Sequence, residues 1–300
     1  FFMQALSYKN EKFNLKEPFN GLFTQGMVCH ETYKDENNNW VSPDEVETKD
    51  GKKYLKKNPS IKVKIGASES MSKSKKNVID PENIISDYGA DSVRLFILSD
   101  SPPEKDVQWS EEGISSAFKF IQKLWNMHLK VINQIEENHE QNSSDKLVKY
   151  TNKFIKKVTY NLDNFSYNII IANIHELYTF INNEIHQEYK KDTLIENYKK
   201  ILITLNPVIP HFSSEALKSI NCLDELNWPT FNEELLKEDK NPFVIQINGK
   251  KRGLYEVELD RSENEILKLI YQDNNLNKYL NEKKIKKKIF IPNKLINIII

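Results

Sequence analysis

Apolar residues recur every three or four positions through most of residues 110–205, and this pattern limits the possible folds most strongly. Ser110 precedes two acidic residues and is predicted to cap a long helix. The apolar positions of that helix are Ile114, Phe118, Ile121, Trp125, Leu129 and Ile132. Similar stripes run from Leu147 to Leu162, from Ile170 to Ile185 and from Leu194 to Leu205. Helices with one apolar face bury it against each other, so the pattern predicts a bundle of four helices.

The residues on either side of this region follow other patterns. "IKVKIG" alternates like a half-buried strand, and "DPENIISDYGADSVRLFILSD" predicts two short helices, the second with Asp91 as its N-cap. "NPVIPHFSSEAL" predicts a bend and a final short helix after the bundle. Beyond it, "FVIQIN" and "LYEVEL" flank "NGKKRG", which predicts a hairpin with about six loop residues. A helix capped by Ser262 and Glu265 and two strands, "IFIP" and "LINIII", then follow.

Charge is balanced over the whole chain but not along it. The 43 basic and 43 acidic residues give a formal net charge of +0, which excludes a protein that binds polyanions over its whole surface. Residues 241–300 hold 12 Lys and Arg against 7 Asp and Glu, with basic clusters at 250–252 and 283–288. Such clusters are most often solvated, but clustering on a hairpin favours an anionic partner.

Cysteine content and hydropathy indicate a compartment. Cys29 and Cys222 are far apart, so neither a disulfide framework nor a structural metal site is predicted, and a reducing cytoplasm is expected. No apolar run reaches the length of a membrane span, and "FFMQALSYKNEKF" lacks the order of a signal peptide. An apolar start without Met suggests that the chain begins inside a larger domain.

The segment "GASESMSKSKKNVIDPE", residues 66–82, contains three lysines and four serines and little that could be buried. A loop of ammonium groups, hydroxyls and turning amides after a strand has groups that can bind phosphate. The chain has no GxxxxGK[ST] or GxGxxG, so neither a P-loop nucleotidase nor a dinucleotide enzyme is predicted. Composition alone therefore favours a solvated surface loop.

A specific string within this segment favours phosphate binding instead. Met71-Ser72-Lys73-Ser74-Lys75 resembles the Lys-Met-Ser-Lys-Ser signature of class I aminoacyl-tRNA synthetases. The surrounding "TQGMV" and "DPENIISDYGADSVRLFILSDSPPEKDVQWS" are similar to leucyl-tRNA synthetases in particular, as are "NPVIPHF", "QINGKKRG" and "NKLINIII". The resemblance covers about residues 17–300 and corresponds to the C-terminal part of such an enzyme.

The resemblance implies a role for each residue of the signature. Lys73 would place its ammonium on the triphosphate of ATP, with its Mg²⁺, and stabilise charge on the departing pyrophosphate. Ser72 and Ser74 would donate to phosphate oxygens or hold the loop's shape, and Met71 would anchor the loop. Two departures stand out. Ser70 replaces the first signature lysine, so Lys75 or Lys76 would have to substitute, and the family's His-x-Gly-His signature and editing insertion have no counterpart.

Other residues are assigned to adenine and to tRNA by the same resemblance. Met27 and Val28 would lie beside adenine through backbone contacts. Arg94 would belong to the stem-contact region, although pairing with Asp91 is an equal alternative. The bundle would be of the anticodon-binding type and would grip the body of the tRNA. Contacts from the terminal domain to the outer corner of the tRNA would come from Lys250, Lys251, Arg252 and Lys286.

Together these features predict a multidomain, mainly α chain. Residues 1–109 would end a Rossmann-type catalytic domain with the loop at 66–77, residues 110–240 would form the helical bundle, and residues 241–300 a small basic α+β domain. We expect a monomeric cytoplasmic ligase that joins leucine to tRNA(Leu) with ATP and Mg²⁺, without a membrane segment or protein-bound metal, and inactive as this fragment alone. A valyl, isoleucyl or methionyl enzyme and a non-catalytic tRNA-binding module remain the alternatives.

Overall fold

The computed structural model describes residues 1–8, 12, 19–137, 139–142, 144–223, 227–236, 240–258, 260–280 and 285–300. These residues divide into two compact units, Phe1–Phe231 and Asn232–Ile300. The first contains the helical bundle and two small sheets, and the second contains one four-stranded sheet with helices. The predicted division into three domains stays a prediction.

The helices of the first unit bury most of the stripes predicted from Leu147 onward, but of the six apolar positions predicted between Ile114 and Ile132 only Ile114 is buried. These helices are α1 (Phe2–Ser7), α2 (Pro81–Tyr88), α3 (Ala90–Ser99), α4 (Glu111–Glu137), α5 (Lys146–Asp163), α6 (Tyr167–Glu184), α7 (Lys191–Leu205) and α8 (Pro210–Ser219). The four predicted long helices are confirmed as α4 to α7, and the final short helix as α8. The hydroxyl of Ser110 accepts from the backbone N–H of Gly113 at 3.1 Å, so Ser110 caps α4 as predicted. Among the described residues, no helix is long and apolar enough to span a membrane.

A buried polar network joins three helices of the bundle. His128 on α4 is 1% exposed, and its Nδ1 lies 3.0 Å from the hydroxyl of Tyr198 on α7. Its Nε2 lies 2.9 Å from Oγ of Ser219 at the end of α8. Burial lowers the pKa of His128 below its ordinary value and raises that of Tyr198. His128 is thus a packing residue of the bundle.

The strands of the first unit form two small sheets. They are β1 (Val28–Lys34), β2 (Trp40–Val41), β3 (Val46–Lys49), β4 (Lys52–Leu55), β5 (Asn58–Lys62), β6 (Lys64–Ser70) and β7 (Val107–Gln108). One sheet has the order β2-β1-β6, with β7 parallel to β1, and the other has the order β3-β4-β5. The prediction of a strand at "IKVKIG" is confirmed in part, because the residues on both sides of Val63 lie in strands but not in one strand. Buried Val63 separates β5, which pairs with β4, from β6, which pairs with β1.

The second unit is a mixed sheet covered by a helix. Its elements are β8 (Lys240–Ile247), β9 (Lys250–Glu258), α9 (Glu263–Gln272), α10 (Asn274–Asn277), β10 (Lys287–Ile291) and β11 (Leu295–Ile299). The strand order is β10-β11-β8-β9, with β11 parallel to β8. Ser262 and Glu265 form the predicted capping box of α9. The core contains Phe243 from β8, Ile270 from α9 and Ile296 from β11.

The hairpin between β8 and β9 is tighter than predicted. Ile247 pairs with Lys250, so the loop has two residues, Asn248 and Gly249, and not about six. Their φ angles are 51° and 75°, which suits an Asn-Gly turn that follows the right-handed twist of the strands. Lys250, Lys251 and Arg252 consequently lie in β9 and not in a flexible loop.

Candidate nucleotide site and nucleic-acid interface

The lysine-rich segment leaves the sheet where β1 and β6 are paired. Cys29 pairs with Ser70 at the end of β6, and the N–H of Met71 donates to the carbonyl of Val28 at 3.2 Å. Gly66 to Ser70 therefore extend the strand, and the predicted loop at 66–77 is shortened. We call residues 71–77 the signature loop. Backbone pairing up to Ser70 fixes the place from which this loop projects.

The far end of the signature loop is fixed by a buried asparagine. Asn77 is 0% exposed, and its Oδ1 accepts from the backbone N–H of Ser72 at 2.8 Å. Its Nδ2 donates to the carbonyls of His30 and Glu69 at 3.2 and 3.1 Å. One side chain thus satisfies three backbone groups, and it ties both ends of the loop to the β1–β6 pair.

The middle of the loop is a single 3₁₀ turn that presents Lys73. This turn spans Lys73–Lys75, and Lys76 follows it with φ at 54°. The hydroxyls of Ser72 and Ser74 lie 2.8 Å apart. Lys73 is exposed, and its ammonium forms no ion pair within the part of the chain that the structure describes. The turn therefore places a free cation and two hydroxyls side by side on a supported loop.

Lys75 differs from Lys73 because it already has a partner. Its ammonium forms an ion pair with the carboxylate of Glu69, the residue before Ser70. Both side chains keep about 40% of their surface exposed, so solvent weakens the pair and an incoming polyanion could compete for the lysine. Lys76 is exposed. Of the two substitutes predicted for the missing first lysine, Lys76 is the one without an internal partner among the described residues.

Met27 and Val28 lie beside the start of the loop, in contact with residues 103–107. The N–H of Met27 donates to Oδ1 of Asp106 at 2.8 Å, and its carbonyl accepts from Val107 at 2.9 Å. The N–H of Gly26 donates to the carbonyl of Pro103 at 2.8 Å. The N–H and carbonyl of Met27 and the carbonyl of Val28 are thus all engaged within the protein, and only the second lone pair of each carbonyl oxygen could accept from a ligand.

Asp91 and Arg94 do not form an ion pair with each other, so the alternative predicted for Arg94 is wrong. Asp91 is buried, and its two oxygens accept from the backbone N–H groups of His211 at 3.2 Å and Phe212 at 2.7 Å. Its predicted role as N-cap of α3 is wrong, because Gly89 holds that position while the carboxylate caps α8. Arg94 donates through Nε to Val208 O at 3.0 Å and through Nη2 to Pro207 O at 2.6 Å. Both residues therefore contact the turn between α7 and α8.

The sheet register of the second unit brings the predicted basic residues to one end of the sheet. Lys250 pairs with Ile247, which pairs with Ile298 on β11. On the opposite edge, the N–H of Lys286 donates to the carbonyl of Ile299 at 2.8 Å. Three interstrand spacings separate the two edges, a distance of about 14 Å. Lys250, Lys251, Lys286 and Lys287 thus form what we call the basic end of the sheet, and all four are exposed.

Two other basic positions differ from this group. The guanidinium of Arg252 lies 4.4 Å from the centre of the Tyr279 ring, so its plane is partly held by a cation-π contact. Lys288 forms an ion pair with Glu263 at 2.6 Å. Lys283 and Lys284 of the predicted cluster lie outside the described residues. The basic end is accordingly narrower than the cluster in the sequence.

Sequence reasoning missed three residues of the loop's support, Asn77, Glu69 and Asp106. Asn77 donates to carbonyls of β1 and β6, Glu69 pairs with Lys75 in the loop, and Asp106 accepts from Met27. None of these contacts is marked by a periodic pattern. Only the position of Asn77 directly after Lys75 and Lys76 marks it, since an amide can satisfy both donors and acceptors at the end of a turn. Within the described ranges, no group of three or more His, Cys, Asp and Glu could hold a metal ion.

Comparison with known families gives two matches, and the second of them extends beyond the first unit into the second. Residues 63–110 match "tRNA synthetases class I (I, L, M and V)", a stretch that includes the signature loop. Residues 144–271 match "Anticodon-binding domain of tRNA ligase". The fold therefore combines helices and sheets with an anticodon-binding domain, and the loop lies in the part shared with class I synthetases.

Comparison with whole proteins finds relatives that are named leucine-tRNA ligases. The "Leucine--tRNA ligase" of Orientia tsutsugamushi (strain Boryong) is 41% identical over 307 residues, and that of Rickettsia bellii (strain RML369-C) is 39% identical over 303. Each alignment covers 100% of this chain and 36% of the relative, so the chain spans about a third of these proteins. This coverage fits the C-terminal part that the sequence predicts.

A solved structure shares the fold. It is the ternary complex of Agrobacterium radiobacter K84 agnB2 LeuRS-tRNA-LeuAMS, which matches with a TM-score of 0.67 and 20% identity. The match covers 99% of this chain and 35% of that chain. Over its whole length, the chain is thus similar to a part of the leucine-tRNA ligases.

Proposed function

We propose that this chain is the part of a leucine-tRNA ligase that carries the signature loop, the tRNA-binding bundle and a small terminal domain. The complete protein would activate leucine with ATP and Mg²⁺ to leucyl-adenylate and transfer the leucyl group to tRNA(Leu). The observation that carries the proposal is the supported loop, in which Lys73 has no ion-pair partner among the described residues while Asn77 fixes both ends. The similarity to leucine-tRNA ligases over the full chain supports the choice of reaction.

Lys73 would contribute by electrostatic stabilisation. During activation, the amino-acid carboxylate attacks the α-phosphorus and negative charge grows on the departing pyrophosphate. A cation that meets this charge mainly in the transition state lowers the barrier more than one that binds ATP equally in both states. The adjacent hydroxyls of Ser72 and Ser74 would donate to phosphate oxygens, and Met71 would anchor the loop at the sheet.

Two further contacts to ATP belong to the proposal. Lys75 would leave Glu69 for the triphosphate, or Lys76 would supply the cationic contact that Ser70 cannot make. Met27 and Val28 would contact adenine through their carbonyl oxygens. The Mg²⁺ would arrive with ATP as part of the substrate. Alone, the fragment would not form adenylate, because it spans only part of the ligase.

The tRNA would contact three regions of this chain. The bundle would grip the body of the tRNA, as its match to anticodon-binding domains suggests. The basic end of the sheet, together with Arg252, would meet phosphates at the outer corner, an interaction that weakens with salt. Arg94 is exposed and keeps N–H groups beyond its two hydrogen bonds, so a phosphate contact at the stem region is compatible with its position. The related complex of Agrobacterium contains tRNA and LeuAMS.

The remaining assignments belong to the same proposal. Residues 1–109 would complete a Rossmann-type catalytic domain, residues 110–240 would form the tRNA-binding bundle, and residues 241–300 would be a separate basic domain. The complete ligase would act as a monomer in the cytoplasm.

A charging assay with single amino acids tests the proposal. The match to class I synthetases covers the I, L, M and V types together, so this match does not distinguish which amino acid the enzyme uses. The complete protein, assayed with unfractionated tRNA, should attach leucine to tRNA and should not attach valine, isoleucine or methionine. Charging of one of those three in place of leucine would select a rival enzyme, and binding of tRNA without any charging would select a non-catalytic tRNA-binding module.

A further inference from the structure

Asp91 and Arg94, one helical turn apart on α3, bind backbone groups around the connection between α7 and α8. Ile209 is the N-cap of α8 and has no side chain that could accept a hydrogen bond, while Pro210 at the first helical position has no N–H. The first free N–H groups of α8 belong to His211 and Phe212, and both donate to Asp91. Asp91 thus serves as the capping residue of a helix that begins about 120 positions later in the chain.

Arg94 acts on the residues just before this helix. It lies one turn after Asp91 on α3, and its guanidinium donates to the carbonyls of Pro207 and Val208. A fork of planar donors holds two neighbouring carbonyls in a fixed orientation. The carboxylate of Asp91 therefore accepts from N–H groups at the start of α8, and the guanidinium of Arg94 donates to carbonyls of the turn that precedes α8. We call these four hydrogen bonds the clamp.

The clamp connects the two parts of the chain that match different families. Asp91 and Arg94 lie within the stretch that matches class I synthetases, and Pro207 to Phe212 lie within the stretch that matches anticodon-binding domains. On the first side, only α2 and the joint at Gly89, with φ at 78°, separate α3 from the signature loop. Nothing approaches within 4 Å of a Cβ at Gly89, so this joint has free space around it.

We propose that Asp91 and Arg94 form a positioning pair, which holds the helical bundle in register with the segment that carries the signature loop. The inference rests on the proposed function, because the register matters when tRNA lies on the bundle and its end must reach the adenylate. Formation of leucyl-adenylate in the absence of tRNA does not require the bundle in this register. The clamp should accordingly affect the transfer of leucine to tRNA more than its activation.

The decisive variant is Asp91→Asn in the complete ligase, because a carboxylate has no direct role in binding phosphate. An amide keeps one acceptor oxygen and presents a donor to the second N–H, so one capping bond is lost. We expect kcat for leucylation of tRNA(Leu) to fall roughly tenfold with an unchanged KM for tRNA, the scale of a small misplacement of reacting groups. Leucine-dependent ATP-pyrophosphate exchange should fall by less than about twofold.

Arg94 variants separate positioning from phosphate binding. Arg94→Gln should lower kcat like Asp91→Asn, and the double variant should be no slower than either single one, since the pair acts as a unit. Arg94→Lys keeps the positive charge and can replace one of the two hydrogen bonds to the carbonyls, so it should recover part of kcat relative to Arg94→Gln. A rise in KM for tRNA without a fall in kcat would show that Arg94 binds phosphate and would overturn its role in the clamp.

A matched control separates positioning from loss of stability. Tyr198→Phe removes the partner of His128 inside the bundle and leaves the clamp intact. At an equal loss of Tm, only the clamp variants should change the ratio of leucylation to exchange. An unchanged ratio in Asp91→Asn, or the same change in Tyr198→Phe, would overturn the proposal. Failure of the wild-type ligase to charge leucine would instead reject the proposed function, so the two failures can be told apart.

Discussion

The backbone N–H of Ser72 lies 2.8 Å from Oδ1 of Asn77, a side chain without exposed surface. This bond closes the signature loop across four residues, which include its three lysines. We therefore expect Asn77→Ala to lower the free energy of unfolding by about 1–3 kcal/mol, because it leaves buried backbone groups without partners. The same variant of the complete ligase should lose ATP-pyrophosphate exchange, since its lysines are no longer held in place.

Thermal and denaturant unfolding of the variant chain measures this effect. Asn83→Ala, at an exposed position on α2, is the matched control and should change stability by less than about 0.5 kcal/mol. Equal stability of Asn77→Ala and Asn83→Ala would show that Asn77 does not support the loop.

Gly26 is required by a close approach of two chain segments. A Cβ at this position would lie 2.1 Å from the carbonyl oxygen of Lys105, which is backbone and cannot turn aside. Gly26→Ala should therefore push residues 26–28 away from residues 103–107, with a loss of several degrees in Tm. Gly21→Ala is the control, because nothing lies within 4 Å of its Cβ. Calorimetry of both variants checks the prediction, and similar Tm values would contradict it.

His128 gives the bundle a pH dependence of defined sign. Burial lowers the pKa of His128 from its ordinary value of 6.5, so in acid the unfolded state binds a proton that the folded state does not. The stability that the neutral His128 contributes is therefore present above pH 6.5 and decreases as the pH falls through this value toward the lower folded pKa. The slope due to this group is at most about 1.4 kcal/mol per pH unit.

Comparison of variants isolates the contribution of this histidine. His128→Gln keeps polar atoms near Tyr198 and Ser219 but does not titrate, so its stability should fall less than that of the wild type between pH 7 and pH 5. His186→Gln, at an exposed position, should follow the wild type. Parallel curves for the wild type and His128→Gln would contradict the assignment.

The basic end of the sheet predicts the salt dependence of tRNA binding. Lys250→Ala and Lys286→Ala should each reduce the slope of log K against log salt by about one, as expected for the loss of one phosphate contact. Lys294→Ala is the control, because this exposed lysine lies in the turn between β10 and β11, at the other end of the sheet. Filter binding of tRNA between low and moderate salt measures the slopes. The same change in all three variants would indicate a diffuse charge effect and not a site.

The periodic parts of the fold could be predicted from the sequence, and the connections between distant segments could not. The helices α4 to α7 can be predicted because apolar residues at helical spacing can be buried together only if the segment is a helix. The capping box at Ser262 is equally local. The partners of Asp91 lie about 120 positions away, and nothing near Asp91 in the sequence indicates that its carboxylate caps another helix.

The candidate site shows the same division. The string from Met71 to Lys75 identifies the loop, and its lysines look equivalent by composition. The structure separates them, because Glu69 neutralises Lys75 while Lys73 stays free among the described residues. The predicted hairpin loop of about six residues is too long, because most of the polar run "NGKKRG" lies in β9 and the Asn-Gly pair alone completes the turn.

The most direct test of the account is the rate of leucine-dependent ATP-pyrophosphate exchange by the Lys73→Ala variant of the complete ligase. We predict a fall of roughly two to three orders of magnitude, the scale for losing one preorganised group that stabilises transition-state charge. Lys75→Ala, measured in parallel, should fall less, because its cation is already paired with Glu69. An unchanged exchange rate in Lys73→Ala would contradict the role assigned to the signature loop.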